Sequence, residues 1–237
     1  MRAHFGGSSR KSLVASRVSL DAAVKGVDAN SASALSSELF FVADVLSTNI
    51  AVRRALTDPS RDGKAKAAFI SELFGKKVGA VALGLVTELS ALRWSAPKDL
   101  VLVLEQLAIE AEASAANIAG ELDRVEDEIF TAAAAFASST ELRKALTSDA
   151  TNAKATLVAD ILKGASGSTV KLVSQMVNAW RGRSIESAFA DYQAALAARR
   201  NRVIALVRVA APLSQAQQER LATTLTSKVG QPVRINI

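Results

Sequence analysis

The chain has 237 residues, 49% of them hydrophobic and only 5% aromatic, with 12 glycines, 4 prolines and no cysteine. That length suffices for one or two domains with real cores, and plentiful Ala and Leu with few Gly and Pro favour packed helices. The lack of cysteine excludes a disulfide framework, a thiolate zinc site and a thiol nucleophile. A formal charge of +6 permits nucleic acid or an acidic protein as partner without choosing between them.

The distribution of charge says more than its sum. Residues 105–128 hold eight acids against one base, Arg124. Arg181, Arg183, Arg199, Arg200, Arg202 and Arg208 then cluster near the C-terminus. Bases are not gathered on one helix among polar neighbours, so nucleic acid is not expected as a partner. No stretch approaches the ~20 apolar residues that span a bilayer, and the best run, "VGAVALGLV" at 78–86, reads as a buried helix. The basic, Ser-rich start reads as a short tail leading into a first helix near Ser8, in a soluble cytoplasmic protein.

In chain order, Leu35, Leu39, Val42 and Leu46 form one stripe at spacings of three and four, predicting a helix that begins at Ser31 and breaks at Asn49. "IAVRRALTD" is a short helix closed by Asp58-Pro59 and Gly63. A helix over 64–74 stops at Gly75, read as a C′ glycine. Residues 80–92 are apolar on nearly every face, which predicts the middle of a bundle. Ser95 can cap and Pro97 suits a first turn, so a long helix is predicted from 97 to about 120.

The chain then repeats itself. "RRALTDPS" at 53–60 returns as "RKALTSDA" at 143–150, with Leu56 and Leu146, Phe40 and Phe130, and Glu38 and Glu128 each 90 residues apart. Leu122, Val125, Ile129 and Phe130 open the helix that matches the Leu35 stripe. "KATLVADILKG" matches "KAAFISELFG", and "TVKLVSQMVNAWRGRS" matches "VALGLVTELSALRWS". Helix order, turn positions and identities agree, which points to a duplicated helical unit. From Arg202 the period changes: "RVIALVRVAAP" is a strand signature, Ser214 and Gln217 stand in capping-box spacing before a helix with Leu221 and Leu225, and "PVRINI" reads as a second strand. The expected fold is mainly α: two tandem related bundles over 1–112 and 113–200 sharing a long helix, then a small, incomplete α/β domain over 201–237.

Catalytic material is scarce. The single histidine is His4, in the tail. "GASGST" at 164–169 lacks a phosphate-loop lysine and reads as a turn between helices. The carboxylates of 105–128 read as a solvated or partner-facing polar stripe rather than an acid/base pair. No enzyme, metal site or cofactor site is expected. What remains is surface: Leu85, Val86, Leu89, Leu172, Val173 and Met176 lie on the apolar fifth helix of each unit, where a groove for an amphipathic partner helix and the core compete for the same residues, and most of these residues read as core.

The C-terminal run, with residues 203–210, Pro212-Leu213-Ser214, Gln217, Leu221, Leu225, Gly230 and residues 233–237, resembles the C-terminal domain of the F-type ATP synthase delta subunit, the family of the mitochondrial oligomycin-sensitivity-conferring protein. "LRKALTS", "KATLVADIL" and "VSQMVNAWRGRSIESAFADYQAALAARRNRV" resemble the last helices of that family's six-helix domain. The doubled bundle resembles the longer delta subunits of actinobacteria. The resemblance implies a non-catalytic stator subunit without cofactor, a peripheral part of a bacterial ATP synthase on the cytoplasmic face of the plasma membrane, touching the membrane only through the complex. It implies two partners: the N-terminal helices of the alpha subunit, with Trp180 added to the six groove residues above, and the b-type stalk subunit, with Val209, Pro212, Leu213, Leu221 and Leu225 as candidate contacts. The competing reading is a generic helical-repeat adaptor. The family continues past its second strand with a hairpin and a closing helix, so the resemblance implies either that Ile237 is a truncated end or that something else closes the domain, and in both cases weakened stalk binding.

Overall fold

The computed structural model describes residues 5–147, 151–199, 203–207, 213–229 and 233–236. Its helices are α1 (Gly7–Ala23), α2 (Ala29–Thr48), α3 (Ile50–Thr57), α4 (Gly63–Phe74), α5 (Ala80–Ala91), α6 (Pro97–Ile118), α7 (Leu122–Ser138), α8 (Thr140–Thr147), α9 (Thr151–Ile161), α10 (Gly167–Asn178), α11 (Ile185–Arg199) and α12 (Gln215–Val229). The protein is mainly α, as expected.

The helix order recurs. From α1 to α6 the helices have 17, 20, 8, 12, 12 and 22 residues, and from α6 to α11 they have 22, 17, 8, 11, 12 and 15. Thus α6 is the last helix of one set and the first of the next. A matched contact supports the pairing. On α2, Glu38 Oε1 accepts the backbone N–H of Gly79, the N-cap of α5, at 2.8 Å. On α7, Glu128 Oε2 accepts the N–H of Ser166, the N-cap of α10, at 2.9 Å. Each carboxylate satisfies an orphan donor at a positive helix end. Gly79 fits because a Cβ there would lie 3.2 Å from Glu38 Oε1.

The predicted stripe Leu35, Leu39, Val42 and Leu46 is buried. Helix α2 starts two residues before Ser31, because Asp28 is the true cap: its Oδ1 accepts Ser31 N–H at 2.7 Å. Gly75 is right-handed (φ −59°), so it does not end α4 as a left-handed glycine. Ala96, not Ser95, takes the N-cap position of α6, with Pro97 at its first turn. Ser95 N–H donates instead to Ser9 Oγ at 2.8 Å, tying α6 to α1.

Helix α6 is the axis. It packs against α1, α2, α3, α7, α10 and α11, and one hydrophobic cluster runs around it from Leu20 to Leu196. Leu100, Val103, Leu104 and Leu107 fill its first half, while Ala108, Ala111, Ala113 and Ala116 let neighbours approach its second half closely. Helix α5, expected in the middle, leaves Val81, Gly84, Glu88 and Ala91 exposed. At the C-terminus β1 (Val203–Leu206) and β2 (Val233–Asn236) pair in parallel, Val203 opposite Val233 and Leu206 opposite Asn236, with α12 between them in sequence. The capping box is made: Gln217 Oε1 accepts Ser214 N–H at 2.8 Å, and Ser214 Oγ accepts Gln217 N–H at 3.4 Å. No single described helix is long and apolar enough to cross a membrane.

Candidate functional site

The acids of α6 do not form the solvated stripe that their composition suggested. Glu105, Glu110 and Glu112 are each 2% exposed. A carboxylate without water must be paired and hydrogen-bonded, and each of these is. Glu105 Oε1 accepts from Arg183 Nη2 at 2.7 Å and from the Tyr192 hydroxyl at 3.3 Å, and Arg181 Nε lies 3.3 Å away. Burial, and then the negative charge of Glu105, raise Tyr192 well above the ordinary tyrosine value, so its hydroxyl keeps the proton that it donates. Glu110 Oε1 takes Arg17 Nη2 at 2.6 Å and Nε at 2.8 Å. Glu112 takes Lys171 Nζ at 2.8 Å, Ser168 Oγ at 2.7 Å and Ser33 Oγ at 3.0 Å.

These partners come from opposite ends of the chain. Arg17 is on α1 and Ser33 on α2, whereas Lys171 is on α10 and Arg183 precedes α11. Arg181 also donates to Asp44 Oδ1 on α2 at 2.6 Å, Lys171 Nζ to the Ser33 carbonyl at 2.9 Å, and Arg199 pairs with Asp21. Of the arginine cluster of the sequence, Arg181, Arg183 and Arg199 are thus spent inside the molecule, and Arg200, Arg202 and Arg208 lie outside the described residues. Removing one partner of such a buried pair costs about 3–5 kcal/mol, since it strands the other charge. The polar seam along α6 therefore fixes how the two helix sets meet.

The outer faces of the two sets differ. On α1 the buried residues are Ser9, Ser12, Ser16 and Leu20, while Val14 and Val18 are 63% and 66% exposed. Each serine is satisfied: Ser9 Oγ donates to Asp99 Oδ2 at 2.7 Å, Ser12 Oγ to the Arg93 carbonyl at 2.6 Å and Ser16 Oγ to the Ser12 carbonyl at 2.7 Å. Small side chains at spacings of three and four let α1 lie close to α5 and α6. The β-branched residues are left outside. On α5, which packs against α1, Val81 is 54% exposed. A helix that turns hydroxyls inward and valines outward inverts the usual arrangement. In the second set the corresponding pair is α6 and α10. There sixteen of the 22 residues of α6 are buried, and α10 exposes only its end residues, Gly167 and Asn178.

The predicted groove residues Leu85, Val86, Leu89, Leu172, Val173 and Met176 all lie in the core, at most 4% exposed. Trp180 is half-buried against that core. Leu213, Leu221 and Leu225 are half-buried, and Val209 and Pro212 lie outside the described residues. The exposed stripe of Val14 and Val18 was missed, although its signal was present: serines at 9, 12 and 16 oppose valines at 14 and 18 on one helix. Of "GASGST", residues 164–166 lie in the predicted link between α9 and α10, while 167–169 already form the first turn of α10, with Ser166 Oγ accepting Thr169 N–H at 3.2 Å.

Residues 110–237 match the model of the ATP synthase delta (OSCP) subunit family. The delta subunit of Streptomyces coelicolor ATP synthase is 42% identical over 98% of this chain and 85% of its own length. The chain belongs to this family. Its similarity extends to the delta subunits of Kineococcus radiotolerans (38% identity over 98% of this chain and 84% of that relative) and Thermobifida fusca (37% over 94% and 85%). The family match begins inside α6. It therefore covers the second helix set and the C-terminal segment, whereas these three relatives align across the first set as well.

Proposed function

We propose that this chain is a non-catalytic stator subunit of a bacterial F-type proton-translocating ATP synthase, held at the cytoplasmic face of the plasma membrane through the complex. It tethers the N-terminal helices of the alpha subunit in the catalytic head to the b-type peripheral stalk, so that the head does not turn with the rotor. We take residues 1–112, 113–200 and 201–237 as its three units. Family membership supports the complex; the inverted helix α1 supports the tether and carries the reading. Val14 and Val18 offer exposed apolar surface on α1 to an amphipathic helix, and Val81 is exposed on the neighbouring α5, with Leu85, Val86 and Leu89 behind it in the core. On this reading Leu172, Val173, Met176 and Trp180 do the same structural work in the second set, whose outer face is covered. The stalk contact falls on the C-terminal segment around Leu213, Leu221 and Leu225.

The test is calorimetric titration of a peptide of the alpha subunit's N-terminal helix into the full chain and into Val14→Asp/Val18→Asp. Each valine buried by a partner is worth about 1.5–3 kcal/mol, so affinity falls by at least about a hundredfold while the melting temperature holds. Unchanged affinity would remove the α1–α5 face from the tether.

A further inference from the structure

The link between α10 and α11, residues 179–184, "AWRGRS", walls a half-open cleft of about 660 Å³. The opposite walls are Asp44 and Thr48 at the end of α2, Arg53 on α3, and Lys98 and Val101 in the first turns of α6. Four cations line it, Arg53, Lys98, Arg181 and Arg183, against two anions, Asp44 and Asp191. Glu105 lies behind as a third negative charge, which leaves the group one positive charge in excess.

Arg181 is the unusual member. Its side chain is only 6% exposed, and Asp44 takes its Nη2. Its Nε stands 3.3 Å from Glu105 without hydrogen-bond geometry, and its Nη1 has no acceptor among the described residues. Its backbone is left-handed, at φ 50°, a conformation that L-residues other than Asn and Asp adopt rarely. Arg53 is in a similar state: Nη1 donates to the carbonyls of Leu46 and Ser47 at 3.0 and 3.1 Å, and Nε has no acceptor. Buried donors are nearly always met, and a buried cation with free N–H groups favours an oxyanion beside it. The link of the first set, residues 92–96, is one residue shorter and carries one arginine, Arg93. The basic link thus belongs to one set alone.

We propose that this cleft binds a small organic oxyanion, a carboxylate or a phosphate monoester with an apolar body. One negative charge balances the excess. Lys98 and Arg183 receive the anionic head, and the free N–H groups of Arg181 and Arg53 turn toward it. Val101, Leu102 and Ala179 supply an apolar floor, and the volume is that of an ordinary small-molecule site. The position is at the seam, so a bound anion joins α2 and α6 to the α10–α11 link.

Trp180 adjoins Arg181 and serves as reporter in the 237-residue Trp94→Phe chain. Inorganic phosphate, phenyl phosphate and benzoate are titrated at low ionic strength, where exposed charges are least screened. Saturable fluorescence changes are expected, with phenyl phosphate tighter than inorganic phosphate because its ring reaches the floor. Saturation by phenyl phosphate alone identifies the phosphate class and by benzoate alone the carboxylate class; either supports the site. Arg181→Met weakens binding by about tenfold to a hundredfold, the worth of a hydrogen bond to a charged group. Arg181 also pairs with Glu105, so Lys98→Ala is the second variant: Lys98 is exposed, the melting temperature is kept, and binding weakens by roughly threefold. Failure of all three anions to saturate overturns the proposal, as does equal binding by the parent and both variants.

Discussion

Val14 and Val18 stand in solvent on α1, whereas α6, which holds the same place in the second helix set, has sixteen of its 22 residues buried. The two helices belong to sets of the same order, closely matched in length at their third, fourth and fifth helices, so helix order does not decide which face is open. Side-chain chemistry does. On α1 the inward positions are serines and the outward ones valines; on α6 both sides are apolar, alanine or paired carboxylate. The first set lies over the α6–α10 face through Ser33, Lys171 and Glu112, and presents the α1–α5 face in its place. A doubled bundle therefore need not mean two docking sites. Here one face became an internal seam and the other stayed outside.

Cutting the seam has the largest expected effect on that contrast. Glu112→Ala strands Lys171, which is 24% exposed on its side chain, against two serines, and lowers stability by about 3 kcal/mol. Hydrogen exchange should quicken in α2 and α10 together, while the caps at Gly79 and Ser166 stay protected. Loss of protection confined to one of the two helices would mean that Glu112 does not join the sets.

A smaller effect separates the two matched caps. Burial alone would raise Glu128, but hydrogen bonds from Thr169 and Ser166 outweigh it and hold the carboxyl below the ordinary glutamate value of 4.5. A carboxyl lowered on folding contributes stability that is present above its unfolded value and is lost as pH falls through the folded one. Glu128→Gln should cost about 1 kcal/mol near neutrality, the usual worth of a helix cap, and the cost should vanish below that window. A cost that persists unchanged into acid would show that the charge on Glu128 is not what caps α10.

The sequence disclosed the doubling because Glu38 and Glu128, 90 residues apart, keep the same contact and so keep the same residue. It also disclosed the stripe of α2, where every buried position but Ser36 is apolar. The character of α6 was hidden. Glu105, Glu110 and Glu112 read as solvent-facing because their cations, Arg17, Lys171 and Arg183, lie 59 to 93 residues away in the chain. No local pattern distinguishes a carboxylate in water from one paired across a bundle. Likewise Ser95 has the chemistry of a cap but is bonded to Ser9, and the apolar run of α5 reads as central although one side of it remains open. The open face itself was legible only by reading the serines of α1 as core, which composition alone discourages.

Trp94 and Trp180 sit in the links that follow α5 and α10, and Trp94 is anchored to the α5 end by its Nε1–H to the Leu89 carbonyl at 3.0 Å. The most direct test of a single open face is to titrate the alpha subunit's N-terminal helix peptide and follow fluorescence in Trp94→Phe and Trp180→Phe. One saturable site is expected, whose signal survives in Trp180→Phe and is lost in Trp94→Phe. A signal that survives only in Trp94→Phe, or two peptides bound per chain, would contradict it.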